Sequence, residues 1–268
     1  MDIKKIQING QTIRVGVRTG LPNTTPLMIF NGIGSGLELA LPIVNAMHPD
    51  LEVIAFDVPG VGGSTMPNFT YTFSDLAKTV TKIIDHLGHE QVNIIGLSWG
   101  GFLAQQFALD YPLRCKKLIL AATSCGLMSI LPDYKVLGLM ASPRRYTDPE
   151  YAASIAPALY GGKFRYDKKL ASSHAKEMCA DKSSYEVTTG YSYQMMAIAF
   201  WSSAFWLNQI TQPTLVLAGS DDPIIPLSNM KRLSDQIANA ELHVFEDGHL
   251  FFLTDLPNVA PIINEFLL

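Results

Sequence analysis

The sequence predicts an α/β fold in which a mostly parallel, doubly wound sheet is flanked by helices and carries a mainly helical insertion. Short apolar runs rich in β-branched residues recur along the chain, and helical patterns separate most of them. Strands of a parallel sheet are buried on both faces, so they read as nearly continuous apolar runs. One long segment lacks any such run and predicts the insertion. The 268 residues suffice for a large domain with a substantial core.

The chain begins with the pattern of a β-hairpin. Residues 3–18 contain two strand-like stretches around Asn9-Gly10, a pair that favours the tight turn between antiparallel strands. Six apolar runs follow and predict the main sheet, the sixth with a more alternating pattern. They are LMIF (27–30), EVIAF (52–56), VNIIGL (92–97), KLILAA (117–122), PTLVLAG (213–219) and ELHVF (241–245).

Helical segments lie between the first four of these runs. The clearest covers residues 74–88, SDLAKTVTKIIDHLG, where apolar residues recur at helical spacing and Ser74 stands in the position of an N-cap. Another helix is predicted to run to Asp110-Tyr111 and to end before Pro112. Strands that alternate with helices in this way indicate parallel connections.

The predicted insertion covers residues 123–212. It holds 13 of the 26 aromatic residues but no strand comparable to the six runs. We therefore predict a core formed by residues 1–122 and 213–268, with residues 123–212 as a cap or lid. Such a cap would cover the carboxyl edge of the sheet, where open α/β sheets bind their ligands.

Composition excludes several classes of protein. The formal net charge of −4 offers no electrostatic basis for nucleic-acid binding. The N-terminal MDIKKIQING lacks the apolar centre of a secretory signal, so we expect a cytoplasmic protein. The apolar stretch from Met195 is shorter than the roughly 20 residues of a membrane span. Three irregularly spaced cysteines favour neither a disulfide framework nor a metal site.

A candidate nucleophile lies where the third apolar run gives way to a helix. Gly96-Leu97-Ser98-Trp99-Gly100 matches the pattern G-x-S-x-G at the strand-to-helix junction that this motif requires. The serine would stand on a sharp, strained turn with its Oγ above the sheet, and its neighbours must be small because strand and helix pass close by. The alternative is a glycine-rich turn with an incidental serine. The position at the junction favours the nucleophile.

A serine hydroxyl is a weak nucleophile and needs a base. His249 follows the last predicted strand directly, in FEDGHLFFL, where a loop at the carboxyl edge can hold an imidazole over Ser98. We therefore predict His249 as the base. The other histidines lie at a helix end (His86, His89), in a turn (His48), inside a strand (His243) or in the insertion (His174).

The acid that orients the imidazole is predicted to be Asp222. It follows the strand PTLVLAG, and the spacing Gly219-x-x-Asp222-x-x-x-Pro226 is that of hydrolases whose chain order is serine, acid, histidine. Asp221 is the alternative, and an aspartate before proline can also simply cap a turn. Asp247 is too close in sequence to the predicted base to be preferred.

An oxyanion that forms during acyl transfer needs preorganised N–H donors. The backbone N–H of Trp99, the residue after the nucleophile, is one candidate. The other comes from the loop after the first parallel strand, Phe30-Asn31-Gly32-Ile33-Gly34, with the Ile33 N–H as donor.

The same loop also suggests a dinucleotide fingerprint, with Asp57 where a ribose-binding acid would stand. Its spacing, Gly32-x-Gly34-x-Gly36, is not that of G-x-G-x-x-G, and a nicotinamide cofactor would leave the serine, acid and histidine without a role. We therefore predict neither an organic cofactor nor a metal.

Nine strings spread along the chain carry a family resemblance. They are LMIFNGIGSGLEL, LEVIAFDVPGVGGS, QVNIIGLSWGG, LAQQFALDYPLRCKKLILAAT, MASPRRY, YGG, QPTLVLAG, DDPIIP and DGHLFFL. They resemble the bacterial intracellular poly(3-hydroxyalkanoate) depolymerases for medium-chain-length polyester, a branch of the α/β-hydrolase superfamily. The resemblance covers most of the chain and implies an α/β-hydrolase fold, with Ser98 as nucleophile, Asp222 as acid and His249 as base. It also implies a polyester substrate stored in cytoplasmic granules, with 3-hydroxyalkanoic acids as products.

We expect ester hydrolysis through an acyl-enzyme. Apolar residues of the cap would bind alkyl side chains or touch a granule surface, although burial against the core explains each of them equally well. The predicted substrate-binding residues are Asn31, Met195, Met196, Phe200, Trp201, Phe205 and Trp206. The alternatives are a capped esterase, lactonase or carbon–carbon bond hydrolase for small apolar substrates, and a receptor that binds a ligand with little or no turnover.

Overall fold

The computed structural model describes residues 1–179 and 184–268, without the side chains of residues 184–187. The strands of the described chain form one eight-stranded sheet in the order β1-β2-β4-β3-β5-β6-β7-β8. Their bounds are Asp2–Ile8 (β1), Gln11–Arg18 (β2), Leu27–Phe30 (β3), Val53–Phe56 (β4), Val92–Leu97 (β5), Cys115–Ala121 (β6), Thr214–Gly219 (β7) and Ala240–Phe245 (β8).

The described helices lie between and after these strands. Their bounds are Leu41–Ala46 (α1), Phe73–His86 (α2), Trp99–Asp110 (α3), Tyr134–Ala141 (α4), Pro149–Tyr160 (α5), Lys168–Cys179 (α6), Ser184–Ala199 (α7), Leu227–Gln236 (α8), Phe251–Thr254 (α9) and Leu256–Leu267 (α10). Short 3-10 helices cover Leu37–Ala40, Pro143–Tyr146, Gly162–Arg165 and Leu207–Gln209.

The hairpin and the parallel sheet are where the sequence predicts them. β1 and β2 pair antiparallel around Asn9 and Gly10, whose positive φ angles of 52° and 77° form the tight turn. β2 pairs antiparallel with β4, and every pairing from β4 to β8 is parallel. The α/β-hydrolase fold class predicted from the sequence is thereby confirmed in its sheet.

The strand order creates a crevice beside β3. The chain passes from β3 to β4 on one side and then to β5 on the other, so the direction of winding reverses there. Loops that leave the carboxyl ends of two such strands diverge and open a ligand site. The loop after β3 and the turn after β5 both face this crevice.

Burial explains why the central strands are continuous apolar runs. Every residue of β3, β4, β5 and β7 is buried, whereas β8, at the edge, is largely half-buried or exposed. Helix α3 is almost wholly buried as well, because it lies against the sheet directly behind the serine turn. This packing fixes the turn from two sides.

The predicted N-cap of α2 is wrong. Thr72, not Ser74, caps the helix, and it forms a reciprocal capping box with Asp75. The Ser74 hydroxyl donates instead to the Asp110 carboxylate at the end of α3, over 2.9 Å. The N-cap of α2 is therefore Thr72, two residues earlier than predicted.

Between β6 and β7, the described residues contain helices α4 to α7 and no named strand. One isolated bridge joins Gly126 to Ser202, at the two ends of this segment. Helices α5 and α6 pack against each other and against the 3-10 turn that follows Ser142. The helical character expected of residues 123–212 is present, and their division from the core as a cap stays a prediction.

Candidate active site

Ser98 stands on a strained turn between β5 and α3. Its φ of 51° and ψ of −114° lie in a region that a residue with a side chain rarely adopts. Such strain persists only where the surroundings enforce it, and here the Ser98 N–H donates to the Ala121 carbonyl of β6 over 2.8 Å. The turn points the hydroxyl away from the sheet and into a cavity.

The glycines around the serine are required by close approach of backbone. A Cβ on Gly100 would lie 2.0 Å from the Phe30 carbonyl oxygen, and one on Gly96 would lie 2.6 Å from the Gly100 carbonyl oxygen. Neither backbone group can withdraw, because both belong to buried elements. Larger residues at these positions would therefore push α3 off the sheet.

A hydrogen-bonded chain connects the three predicted residues. His249 Nε2 lies 3.0 Å from Ser98 Oγ, and His249 Nδ1 lies 2.8 Å from Asp222 Oδ2. The side chains of His249 and Asp222 are only 4% and 1% exposed. This arrangement allows the imidazole to accept the serine proton while the carboxylate holds the ring and stabilises its cation.

Asp222 is held in place by the backbone that follows it. Its Oδ1 accepts hydrogen bonds from the N–H groups of Ile224 and Ile225, both at 2.8 Å, which leaves Oδ2 for His249. Asp221, the alternative acid, faces outward and pairs with Arg165 at 2.6 Å. That partner lowers the pKa of Asp221. The structure thus brings Asp222, and not Asp221, to the histidine.

Asp247 takes no part in the hydrogen bonds that join Asp222, His249 and Ser98. It is buried, and its carboxylate accepts from the N–H groups of Lys163 and Gly248 and from the Thr254 hydroxyl, at 2.7 to 2.9 Å. These contacts shape the loop that carries His249. The His249 N–H itself donates to the Tyr160 carbonyl at the end of α5, over 2.7 Å, so the inserted segment helps to hold the predicted base.

The remaining histidines have other surroundings. His89 and His243 contact Glu52 and Glu241 at 2.8 and 2.9 Å, and His48 lies 3.7 Å from Asp50. His174 is buried and lines the cavity around Ser98.

The loop after β3 approaches the serine closely. A Cβ on Gly32 would lie 3.8 Å from Ser98 Cβ, and the predicted donor residue Ile33 lines the same cavity as Ser98. Two side chains of the inserted segment form hydrogen bonds to the peptide between Ile33 and Gly34, one to its carbonyl and one to its N–H. The Tyr146 hydroxyl donates to the Ile33 carbonyl over 2.6 Å, and Gln194 Oε1 accepts from the Gly34 N–H over 2.8 Å.

Gln194 connects this loop to the serine turn. It is 1% exposed, and its backbone carbonyl accepts from the indole Nε1 of Trp99 over 3.0 Å. Both residues predicted to supply oxyanion donors, Ile33 and Trp99, are therefore braced by one part of the inserted segment. Neither Tyr146 nor Gln194 could be assigned this role from the sequence.

The Ser98 hydroxyl faces a cavity between the sheet edge and the inserted segment. Its walls combine apolar side chains with a few polar groups, as is typical of small-molecule sites. The lining residues are Asn31, Gly32, Ile33, Ser35, Leu39, Leu97, Ser98, Met140, Arg145, Tyr146, Tyr160, His174, Met178, Ile224, His249, Leu250 and Phe252.

The predicted substrate-binding residues divide into two groups. Asn31 lines the cavity, and its Nδ2 donates to the Gly36 carbonyl over 3.0 Å. The six residues of the inserted segment are not among the lining residues. Trp201 and Trp206 pack against each other and the core, whereas four side chains are exposed: Met195 (36%), Met196 (58%), Phe200 (92%) and Phe205 (79%).

The carboxylate of Asp57, the residue considered as a ribose ligand, forms its hydrogen bonds within the protein. It is 0% exposed, and its carboxylate accepts from the N–H groups of Leu37 and Gly63 at 2.6 and 2.8 Å and from Arg14 at 3.2 Å. Burial nevertheless raises the pKa of Asp57, against the lowering effect of these partners. The group holds two loops together and offers no oxygen to a ribose.

The described ranges hold neither a metal-binding cluster nor a membrane-spanning helix. Residues 1–179 and 184–268 contain no group of three or more His, Cys, Asp or Glu side chains that could hold a metal. Within the same ranges, every helix is too short or too polar to cross a membrane.

Known proteins share this fold and much of this sequence. Residues 25–256 match the family model described as alpha/beta hydrolase fold. The poly(3-hydroxyalkanoate) depolymerase of Ectopseudomonas oleovorans is 54% identical over 98% of this chain and 92% of its own. The 2-hydroxymuconate semialdehyde hydrolase of Pseudomonas sp. strain CF600 is 27% identical over 97% of this chain and 94% of its own.

The fold also recurs in solved structures. The crystal structure of the enol-lactonase from Burkholderia xenovorans LB400 superimposes with a TM-score of 0.84 and 20% sequence identity, covering 98% of this chain and 99% of that one. At that identity the likeness concerns the fold.

Proposed function

Because the chain belongs to the α/β-hydrolase family, we propose that it is a serine hydrolase that cleaves the ester bonds of medium-chain-length poly(3-hydroxyalkanoate) to 3-hydroxyalkanoic acids. The observation that carries this proposal is the chain of hydrogen bonds from Asp222 through His249 to Ser98, at 2.8 and 3.0 Å, at the wall of a partly apolar cavity. The polyester is favoured by the 54% identity to the depolymerase of E. oleovorans.

The proposed reaction has two halves. His249 Nε2 accepts the Ser98 proton as Oγ attacks the ester carbonyl, and the N–H groups of Ile33 and Trp99 stabilise the oxyanion. Collapse of the intermediate releases the alcohol, which takes the proton from His249, and leaves an acyl-enzyme. Water then attacks in the same way, releases the acid and restores Ser98. Neither a metal nor an organic cofactor is needed for these steps.

To act on a solid polyester, the protein must also contact it with its outer surface. We call the exposed apolar residues at the two ends of the inserted segment the cap patch. The N–H of Leu127 donates to the Trp201 carbonyl over 2.9 Å, so the two ends lie side by side. The patch comprises Leu127, Met128, Ile130, Leu131, Met196, Phe200 and Phe205, all at least 49% exposed.

We propose that the cap patch lies against the surface of a polyhydroxyalkanoate granule in the cytoplasm. Large exposed apolar patches mark surfaces that bind something apolar. The side chains of 3-hydroxyalkanoate units are alkyl groups, so a granule surface matches the patch in chemistry. Phe200 and Phe205, predicted to bind substrate, would act here and not in the cavity.

The Ser98→Ala variant tests the proposed reaction. Removing the nucleophile is expected to lower the release of 3-hydroxyoctanoic acid from an emulsified polyester by about 10⁴-fold or more. The control is Ser154→Ala, which removes an exposed hydroxyl from α5. Acid release that persists in the Ser98 variant would place the activity elsewhere.

A second candidate function is the hydrolysis of small soluble esters, lactones or carbon–carbon bonds. The 27% identity to a 2-hydroxymuconate semialdehyde hydrolase favours considering it. Emulsified polyester and soluble p-nitrophenyl esters separate the two, since activity confined to short soluble esters would remove the polyester assignment. A receptor without turnover is disfavoured by the aligned serine, histidine and aspartate.

A further inference from the structure

Three residues that line the Ser98 cavity carry buried polar atoms without a hydrogen-bond partner. They are Asn31 Oδ1, Arg145 Nε and His174 Nε2. The residues are 8%, 4% and 7% exposed. Buried polar atoms in proteins are nearly always paired, and exceptions call for a reason. A ligand that brings polar atoms into the cavity supplies one.

Among the described residues, only neutral groups contact the Arg145 guanidinium. Its guanidinium donates to the hydroxyls of Tyr146 and Tyr191 at 3.1 and 3.3 Å and to the Met140 carbonyl at 3.4 Å. No carboxylate of the described residues forms an ion pair with it. A guanidinium stays protonated at every working pH, and a buried charge without a counter-ion is costly.

His174 lies on the same side of the cavity. The ring of Tyr160 packs edge-on against His174, with centroids 5.5 Å apart. Helix α6, which carries His174, packs against the 3-10 turn that carries Arg145, and burial raises the pKa of Tyr160. Burial also lowers the pKa of His174 to about 4. At neutral pH the imidazole is therefore uncharged and can donate one hydrogen bond.

We propose that Arg145 and His174 form a subsite for a carboxylate within the cavity that contains Ser98. A guanidinium matches a carboxylate by its planar fork of donors and supplies the missing counter-charge. This deepens the proposed function and rests on it for the ligand. The carboxylate is that of the free end of a polyester chain or of a released 3-hydroxyalkanoic acid. Bound at the chain end, it places an ester close to that end beside the serine.

Oligomers with and without a free carboxylate test the subsite. The substrates are the dimer and trimer of 3-hydroxyoctanoate and their methyl esters, compared by kcat/KM. The wild-type protein is expected to favour the free acids by at least about tenfold, since a hydrogen bond to a charged group is worth that much. Arg145→Met is expected to bring the ratio close to one.

Arg144→Met is the matched control. Arg144 precedes Arg145 in the chain, but its side chain is 61% exposed and pairs with Asp148. Its loss should leave the preference intact. A ratio, unlike a rate, does not change when a variant merely disturbs Tyr146 and the serine loop. If Arg145→Met does not fold, Arg145→Lys and His174→Phe each test the same ratio, because the first loses the fork and the second the donor.

Inhibition separates the two sources of carboxylate. Octanoate and 3-hydroxyoctanoate, each against its methyl ester, are tested as inhibitors of p-nitrophenyl octanoate hydrolysis. A preference for free-acid oligomers assigns the subsite to the chain end. Selective inhibition by the free acids without that preference assigns it to the released product. If the acids inhibit selectively but the protein does not hydrolyse polyester, the carboxylate subsite stands and the polyester assignment fails. The subsite is refuted if acids and esters behave alike, or if Arg145→Met retains the difference.

Discussion

At the scale of single residues, the neighbouring aspartates Asp221 and Asp222 differ in burial and in hydrogen-bond partner. Asp222 is buried and bonded to His249, whereas Asp221 is half-exposed and paired with Arg165. We expect Asp222→Asn to lower kcat by about 10⁴-fold, because an amide in that place favours the wrong tautomer of the imidazole. Asp221→Asn should keep kcat within a few-fold. Steady-state kinetics on p-nitrophenyl octanoate check the pair, and equal losses in both variants would refute the assignment of Asp222.

His174 gives the stability a specific pH dependence. Its pKa is lowered to about 4 in the folded protein by burial, while an unfolded histidine titrates near 6.5. Between these values the unfolded chain binds the extra proton, so the free energy of unfolding falls as the pH drops from about 6.5 to 4. The loss amounts to about 2 to 3 kcal/mol at the low end.

The variant His174→Phe should lose this contribution, because its ring packs on Tyr160 and Phe164 without titrating. Urea unfolding at pH 7.5 and pH 5 measures the difference. His86→Gln, at the exposed end of α2, should keep the wild-type dependence. A pH dependence that is the same in His174→Phe and the wild type would show that another group is responsible.

Part of this residue-scale detail follows from the sequence. The convergence of Ser98, Asp222 and His249 could be predicted, because each follows a strand and the carboxyl ends of parallel strands meet at one edge. Arg145, Tyr146 and His174 could not be placed at the cavity. Their approach depends on how the inserted helices pack on the sheet, which no local pattern in the residues encodes.

At the scale of elements, the junction of β5 and α3 depends on close contact between backbones. Gly100→Ala would place a Cβ 2.0 Å from the Phe30 carbonyl oxygen. We expect a loss of several kcal/mol in the free energy of unfolding, as for other overpacked core positions. Gly138→Ala, in α4, is the matched opposite, since nothing lies within 4 Å of its Cβ.

Gly138→Ala should stabilise the protein by about 0.5 to 1 kcal/mol, because alanine loses less backbone entropy in a helix. Urea unfolding of both variants measures the contrast. A Gly100→Ala protein of wild-type stability would contradict the account of the serine turn.

The strands were predictable at this scale, and the caps and roles of the inserted helices were not. In a strand buried on both faces every residue is apolar, as in β3, LMIF. The cap of α2 depends on reciprocal hydrogen bonds between Thr72 and Asp75, and Ser74 offers a side chain similar to that of Thr72 two residues on. Likewise Trp201 is packed and Phe200 is exposed, although both are aromatic neighbours in the chain.

At the scale of the whole molecule, the cap patch is expected to separate two activities. The double variant Phe200→Ser, Phe205→Ser should lower hydrolysis of emulsified polyester by about tenfold or more, since two exposed phenyl groups each contribute about 1 to 2 kcal/mol of apolar contact. Hydrolysis of soluble p-nitrophenyl octanoate should remain within about twofold, because neither residue lines the cavity.

The control for this prediction is Leu113→Ser. Leu113 is 81% exposed and precedes β6, at the edge of the sheet opposite to the carboxyl ends. It should change neither activity. Equal loss on polymer and soluble ester in the phenylalanine variant would mean that the patch supports the site and not the contact with polyester.

We propose that His249 activates Ser98 for covalent catalysis, and covalent labelling of the serine measures that activation. The protein is treated with a fluorophosphonate, digested and mapped by mass spectrometry, with His249→Ala treated alongside. We predict that the label lies on Ser98 alone and that its rate of formation falls by orders of magnitude in the histidine variant. A label on another residue, or equal labelling rates in both proteins, would contradict the account.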